Sequence, residues 1–309
     1  MHLDTAQLAA LAAVLGEGSF ERAAVALHVT RSAVSQRVKL LEERVGQVLV
    51  RRASPCTPTE AGQALLRHAQ QMALSEADAL RSIAGTGAAL TPVRLAVGVN
   101  ADSLATWFVG AMAQVAGAPG TAAGAPDAAH PAITFDVHVE DQDHSSELLR
   151  QGRVMAAVTS DPQPVQGCQV VRLGTMRYRA LASPAFMERH FAQGVTAAAL
   201  ADAPVLVFNR KDALQERFTR RITRRALAPP THWLPSSQAF VEASLAGLGW
   251  GMNPDALVRK DLDAGRLVEL APGKPVDVAL YWQFWRLNVQ ALHRMTQAVQ
   301  QAAARALVT

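Results

Sequence analysis

The sequence predicts a chain in two parts: a small helical unit carrying a β-hairpin, then, past one long helix, a larger α/β domain. Three observations predict it. Phe20, Ala23, Ala24 and Leu27, and then Val34, Val38, Leu41 and Val45, form two buried helical stripes separated only by His28-Val29-Thr30. The short β-branched run Val48-Leu49-Val50-Arg51-Arg52 ends in Ala-Ser-Pro, as one strand of a hairpin would. From Val93 onward, short apolar runs alternate with helical patterns, and 309 residues suffice for two domains with the second divided.

In chain order, Asp4 can cap a first helix with the stripe Leu8, Leu11, Ala12 and Leu15, which Gly16 and Gly18 end. Ser19 caps the second helix and Thr30 the third. The outer face of the third carries Ser32, Ser35, Gln36 and Lys39 at i, i+3, i+4 and i+7. Amide, hydroxyl and cationic groups on the second of two helices joined by a tight turn meet the needs of a winged helix-turn-helix in the major groove. Between residues 22 and 52, seven cations stand against two anions, a local excess of five beside +4 for the whole chain. Double-stranded DNA is the partner this implies. Ser32, Ser35, Gln36 and Lys39 are the groove-facing candidates, and Gln36 can pair in bidentate fashion with adenine. Arg31 and Arg37 lie nearer phosphate, and Arg51 and Arg52 of the wing are phosphate candidates. The competing reading of each is an ordinary solvated charge.

Pro58-Thr59-Glu60-Ala61-Gly62 restarts a helix, capped by Thr59, that runs to about Ile83. Some 24 residues would span about 36 Å, more than a three-helix unit can cover. Ala61, Leu65, Met72, Ala79 and Ile83 form a partly heptad-like seam, so residues 59–90 read as a dimerising linker between a DNA-binding unit at 1–58 and a domain at 91–309. Residues 85–92 are a loose connection. Strands are expected at Leu95–Val99, Ile133–Val139, Val154–Thr159, Pro204–Phe208 and Val276–Trp282, in a largely parallel sheet. Helices are expected from Asn100, Ser145, Ser236-Ser237 and about Asn288. Ligands of such sheets collect at the carboxyl ends of strands. There stand Asp102, Ser103, Glu140, Asp141, Asp212 and Ser237. Ser103 and Ser237 can offer a hydroxyl and free N–H groups to a carboxylate, or simply cap their helices. The acids suit a cation, or are solvated loop residues. Trp107, Phe240 and Trp282 line a pocket or sit in the core. Residues 117–130, rich in Ala, Gly and Pro, read as an exposed insertion.

Several functions are disfavoured. Cys56 and Cys168 are far apart, with no metal-ligand spacing. No signal peptide and no apolar run of ~18 residues is present, so the expected place is the cytoplasm, away from membranes. Nucleophile-elbow, zincin and P-loop patterns are absent, and no cofactor, metal or enzymatic activity is expected.

The first sixty residues resemble the LysR-type transcriptional regulators. The resemblance is carried by Phe20-Glu21-Arg22-Ala23-Ala24, by Thr30 to Glu42 (TRSAVSQRVKLLE) and by Pro58 to Gly62. It continues through the chain. Asn100 to Trp107, Val139-Glu140-Asp141, Ser236 to Val241 and Tyr281-Trp282 are similar to the subgroup that senses lysine and arginine and controls a basic amino-acid exporter. Members of that subgroup are also described as inhibitors of chromosome replication initiation. The resemblance implies a winged helix-turn-helix, a dimerising linker helix and a two-lobed effector domain like a periplasmic binding protein. The lobes would be roughly 91–162 with 268–309, and 163–267. It further implies homodimers or homotetramers, contact with RNA polymerase and residence on the nucleoid. A basic amino acid would need donors for its carboxylate and at least two acids for its cations. The sequence departs from the subgroup at 117–130 and at Asn209-Arg210-Lys211, where cations stand beside a site meant for a cation. That leaves two alternatives: another amino-acid or organic-acid effector, or an architectural, replication-inhibiting DNA binder. A small-molecule-binding protein or enzyme with an oligomerising amino-terminal unit is the third reading.

Overall fold

Polar caps at three successive helix starts set the amino-terminal unit. In the computed structural model, which describes residues 2–83, 93–117 and 133–308, Asp4 accepts from Gln7 N at 3.0 Å to open α1, Thr5–Glu17. Ser19 caps α2, Phe20–Ala26, at Arg22 N, and Thr30 caps α3, Arg31–Val45, at Ala33 N. Each such cap is worth about 1 kcal/mol. Leu8, Leu11, Val14, Phe20, Ala23, Val34, Val38 and Leu41 close one core beneath the three helices. The hairpin is shorter than its sequence pattern: β1, Val50–Arg51, pairs antiparallel with β2, Thr57–Pro58.

Two contacts fix this wing. Glu42 on α3 accepts from Leu49 N at 2.8 Å and Val50 N at 3.3 Å, which explains an acid inside a basic segment. Thr59 then donates to Val48 O at 2.7 Å and accepts from Gly62 N at 3.1 Å, opening α4, Glu60–Ile83. Ala61, Leu65, Ala69 and Met72 pack onto the core under α1. The first half of the expected seam therefore serves the protomer's own DNA-binding unit, while Leu80 and Ile83 stay 62% and 81% exposed. Farther along α4, Arg67 donates to Arg150 O at 2.8 Å, tying the helix to the second domain.

That domain begins with β3, Val93–Val99, followed by α5, Ala101–Ser103, a π-turn over Leu104–Phe108, and α6, Val109–Ala116. The chain continues through β4 (Ile133–Val139), α7 (Ser145–Arg150), β5 (Ala156–Thr159) and β6 (Cys168–Ala182). Then come α8 (Pro184–Phe191), α9 (Ala197–Asp202), β7 (Val205–Val207), α10 (Leu214–Thr223) and β8 (Thr231–Trp233). It ends with α11 (Ser237–Leu245), β9 (Gly251–Pro254), α12 (Asp255–Asp263), β10 (Val268–Glu269), β11 (Val276–Trp285) and α13 (Gln290–Ala306). Residues 85–92, and all but the first of 117–130, lie outside the described residues.

The expectation of a largely parallel sheet is corrected. Among the described residues, β3 pairs parallel with β4 and β5, but β6 and β11 run antiparallel to each other through the middle, and β5, β9 and β10 join them antiparallel. The physical reason lies in these two long strands. One half of each belongs to the β3–β5 lobe and the other half to the lobe of β7 to β10. The ladder slips between Leu280 and Tyr281, opposite Gly174, whose φ of 139° no side-chain-bearing residue adopts readily. A Cβ there would also lie 2.9 Å from Leu307 Cβ. The cleft between the lobes opens at the carboxyl ends of β3 and β4.

Candidate nucleic-acid interface and ligand cleft

Helix α3 turns Val34, Val38 and Leu41 inward, and that leaves Ser32, Gln36 and Lys39 exposed with Ser35 and Arg37 half-buried beside them. Arg31 pairs with Glu21 at 2.9 Å and Lys39 with Glu43 at 3.6 Å, both pairs well exposed. Such pairs are worth about 0–1 kcal/mol, so a phosphate can displace them. Ser32 and Thr30 share a hydroxyl–hydroxyl hydrogen bond of 3.0 Å. On the wing Arg51 is free of the core, whereas the Arg52 guanidinium stacks over the Phe20 ring, 5.1 Å from its centroid.

The cleft of the second domain has a volume of ≈ 670 Å³ counting its open mouth. One wall is Asn100, Asp102, Glu140 and Asp141; the other is Asn209, Asp212, Ser237 and Asn253. Asp102 takes hydrogen bonds from Ser237 Oγ at 2.7 Å and Tyr178 Oη at 2.9 Å, both crossing from lobe to lobe. Burial raises the Asp102 carboxyl above its usual range despite those two donors, and burial likewise raises Asp141. Burial pushes on Glu140 too, but the Lys211 ammonium and the Asp141 N–H outweigh it and hold that carboxyl low. Asp212 accepts from Phe208 N and Leu214 N at 3.1 and 2.9 Å. Asn100 is 2% exposed, and neither atom of its side-chain amide has a partner among the described residues. Asn253 Oδ1 is likewise unpartnered. Buried amides at a cleft wall, unmatched from within, are groups a polar ligand can satisfy.

Residues 5–63 match the bacterial regulatory helix-turn-helix proteins of the lysR family, and residues 123–304 match the LysR substrate binding domain. The chain belongs to the LysR family. It is a DNA-binding transcriptional regulator with a two-lobed effector domain. The crystal structure of ArgP from Mycobacterium tuberculosis is similar at 47% identity over 99% of each chain, with a TM-score of 0.85. Full-length LysG from Corynebacterium glutamicum with bound effector Arg is similar at 38% identity, covering 99% of this chain and 100% of that one, with a TM-score of 0.76. The lysine export transcriptional regulatory protein LysG of Corynebacterium efficiens is 41% identical over 100% of this chain and 99% of its own.

In this LysR chain, five of the six acids and serines expected at strand ends come together: Asp102, Glu140, Asp141, Asp212 and Ser237. Ser103 does not join them. Successive helix residues point about 100° apart, so with Asp102 on the cleft, Ser103 is fully buried behind it. Of the three aromatics only Phe240 lines the cleft. Trp107 packs edge-on against Phe108, and Trp282 is fully buried with its Nε1 donating to Thr296 Oγ1 at 3.1 Å. Tyr178, Asn100 and Asn253 were missed. Tyr178 lies on β6, whose alternation Thr175-Met176-Arg177-Tyr178-Arg179-Ala180 is a strand signature left unread; Asn100 directly follows β3 and was legible as a strand-end polar residue. The two cations of 209–211 are both engaged. Arg210 lies over the Trp233 ring at 4.9 Å, and Lys211 Nζ binds Glu140 Oε1 at 2.9 Å.

Proposed function

We propose that the effector of this regulator is lysine or arginine, and that its target is a gene for a basic amino-acid exporter. The observation that supports this reading is the convergence of four carboxylates and the unpartnered Asn100 amide on one interlobe cleft. Asp102 and Asp141 suit the two cations of such a ligand, because a cation relieves the burial that raises their carboxyls. Asn100, with the N-terminus of α11, suits its carboxylate. The LysG relative with bound Arg and the lysine-export LysG point the same way. Calorimetric titration of the full chain tests it: one lysine or arginine per chain gives saturable heat and glutamate gives none. No heat with either basic amino acid sinks the reading.

Ser32, Ser35, Gln36 and Lys39 read the major groove in this account, with Arg31, Arg37, Arg51 and Arg52 on phosphates. Gln36→Ala should narrow the preference for DNA selected from a random pool over unselected duplex by about 1–3 kcal/mol. An unchanged ratio in a mobility-shift assay would remove Gln36 from base reading. The exposed Leu80 and Ile83 of α4 suit a second copy, so we place the chain in homodimers or tetramers that contact RNA polymerase. No helix among the described residues is long and apolar enough to cross a membrane. We place the protein in the cytoplasm, on the nucleoid.

A further inference from the structure

A cation of the chain itself is paired with one of the acids that line the cleft. Lys211 reaches from the loop after β7, in one lobe, to Glu140 after β4, in the other, and its ammonium lies 2.9 Å from Glu140 Oε1. The same oxygen accepts from Asp141 N at 3.0 Å. The position of Lys211 is built rather than incidental. Asn209 Oδ1 accepts from Lys211 N at 2.7 Å and Asp212 N at 3.1 Å, and Asp212 in turn takes Phe208 N and Leu214 N. Side chains at both ends thus pin the loop, and the ammonium is presented across the cleft mouth. Arg210, its neighbour, is turned aside onto Trp233. Glu140 lines the cleft, so the acid that Lys211 occupies is one a cationic ligand would otherwise meet.

We propose that Lys211 is a tethered counter-ion that holds a cation position of the effector cleft, and that a ligand's cationic side chain binds by displacing it from Glu140. This rests on the basic amino-acid reading above. Lys211 thereby sets specificity. A neutral side chain cannot replace an ammonium against Glu140, whereas a guanidinium or ammonium can. The pair also links the two lobes, beside the hydrogen bonds of Ser237 and Tyr178 to Asp102, so its exchange for a ligand contact changes what holds the lobes together.

The test uses the full chain with Lys211→Met, which keeps the length and removes the charge, and Lys211→Arg, which keeps the charge. Without ligand, amide hydrogen exchange over residues 139–143 and 209–213 should speed up in Lys211→Met by up to about fivefold, the scale of an exposed ion pair, and stay slow in Lys211→Arg. Equal exchange in wild type and Lys211→Met overturns the proposal whatever the effector is. In calorimetry, Lys211→Met should bind arginine up to about fivefold more tightly on the same scale, with no gain for citrulline, the uncharged isostere. Unchanged or weaker arginine binding in Lys211→Met overturns the competition. Failure of the wild type to bind arginine or lysine instead removes the effector reading, and the exchange measurement still decides whether the link exists.

Discussion

Asp102→Asn is expected to weaken arginine binding about tenfold to hundredfold, the cost of removing one charged partner from a part-buried contact. The substitution keeps the shape of the side chain and leaves an oxygen to accept from Ser237 or Tyr178. What it removes is negative charge at the point where the two lobes meet. The pH dependence carries a definite sign. Burial raises the Asp102 and Asp141 carboxyls in the free cleft. A bound cation favours their ionised forms and lowers them again, so binding releases protons. Affinity therefore rises with pH until the free carboxyls have ionised. In Asp102→Asn the rise should be shallower, with Asp141 supplying what remains. Calorimetry in buffers of different ionisation enthalpy counts the protons. A wild type that takes up protons on binding would contradict the assignment of these acids.

Gly62→Ala is expected to abolish tight DNA binding while leaving arginine binding intact. A Cβ at this position would lie 2.0 Å from the Leu49 carbonyl oxygen and 2.9 Å from its carbon. Backbone cannot yield as a flexible side chain does. Helix propensity alone favours alanine by about 1 kcal/mol, but overpacking of this severity costs about 3 kcal/mol or more, and the clash wins. Relief requires α4 to move off the wing that Glu42 and Thr59 hold in place. Mobility shifts with selected DNA and calorimetry with arginine separate the two effects. Wild-type DNA affinity in Gly62→Ala would show that the contact between α4 and the wing is not needed.

The amino-terminal unit was legible because its determinants are local. Asp4, Ser19, Thr30 and Thr59 each cap within three residues, and the stripes of α2 and α3 repeat within one helix. The second domain was legible where a strand is a continuous apolar run, as in Leu95–Val99. At β6 there is no such run, and the signal is instead the alternation of Met176, Tyr178 and Ala180 with Thr175, Arg177 and Arg179, the period of a half-buried strand. Arg177 pairs with Asp277, and Arg179 with Asp255 and Glu269, partners that only the folded sheet brings near. The same limit governed the cleft. Strand-end acids could be picked out one by one, but Lys211 counted as a misplaced charge until its partner was seen across the cleft. Ser103 failed for the opposite reason. It neighbours Asp102 in sequence, and adjacency in sequence is not adjacency on a helix face.

On the proposed function, a basic amino acid in the cleft alters how α3 engages DNA. The most direct measurement is the affinity of the full chain for its selected DNA, titrated with and without saturating arginine, together with arginine affinity with and without that DNA. Coupling requires both affinities to change by the same factor, about 5- to 150-fold for a typical linkage of 1–3 kcal/mol. Arginine bound at saturation, with the DNA affinity and the length of protected DNA both unchanged, would contradict the account.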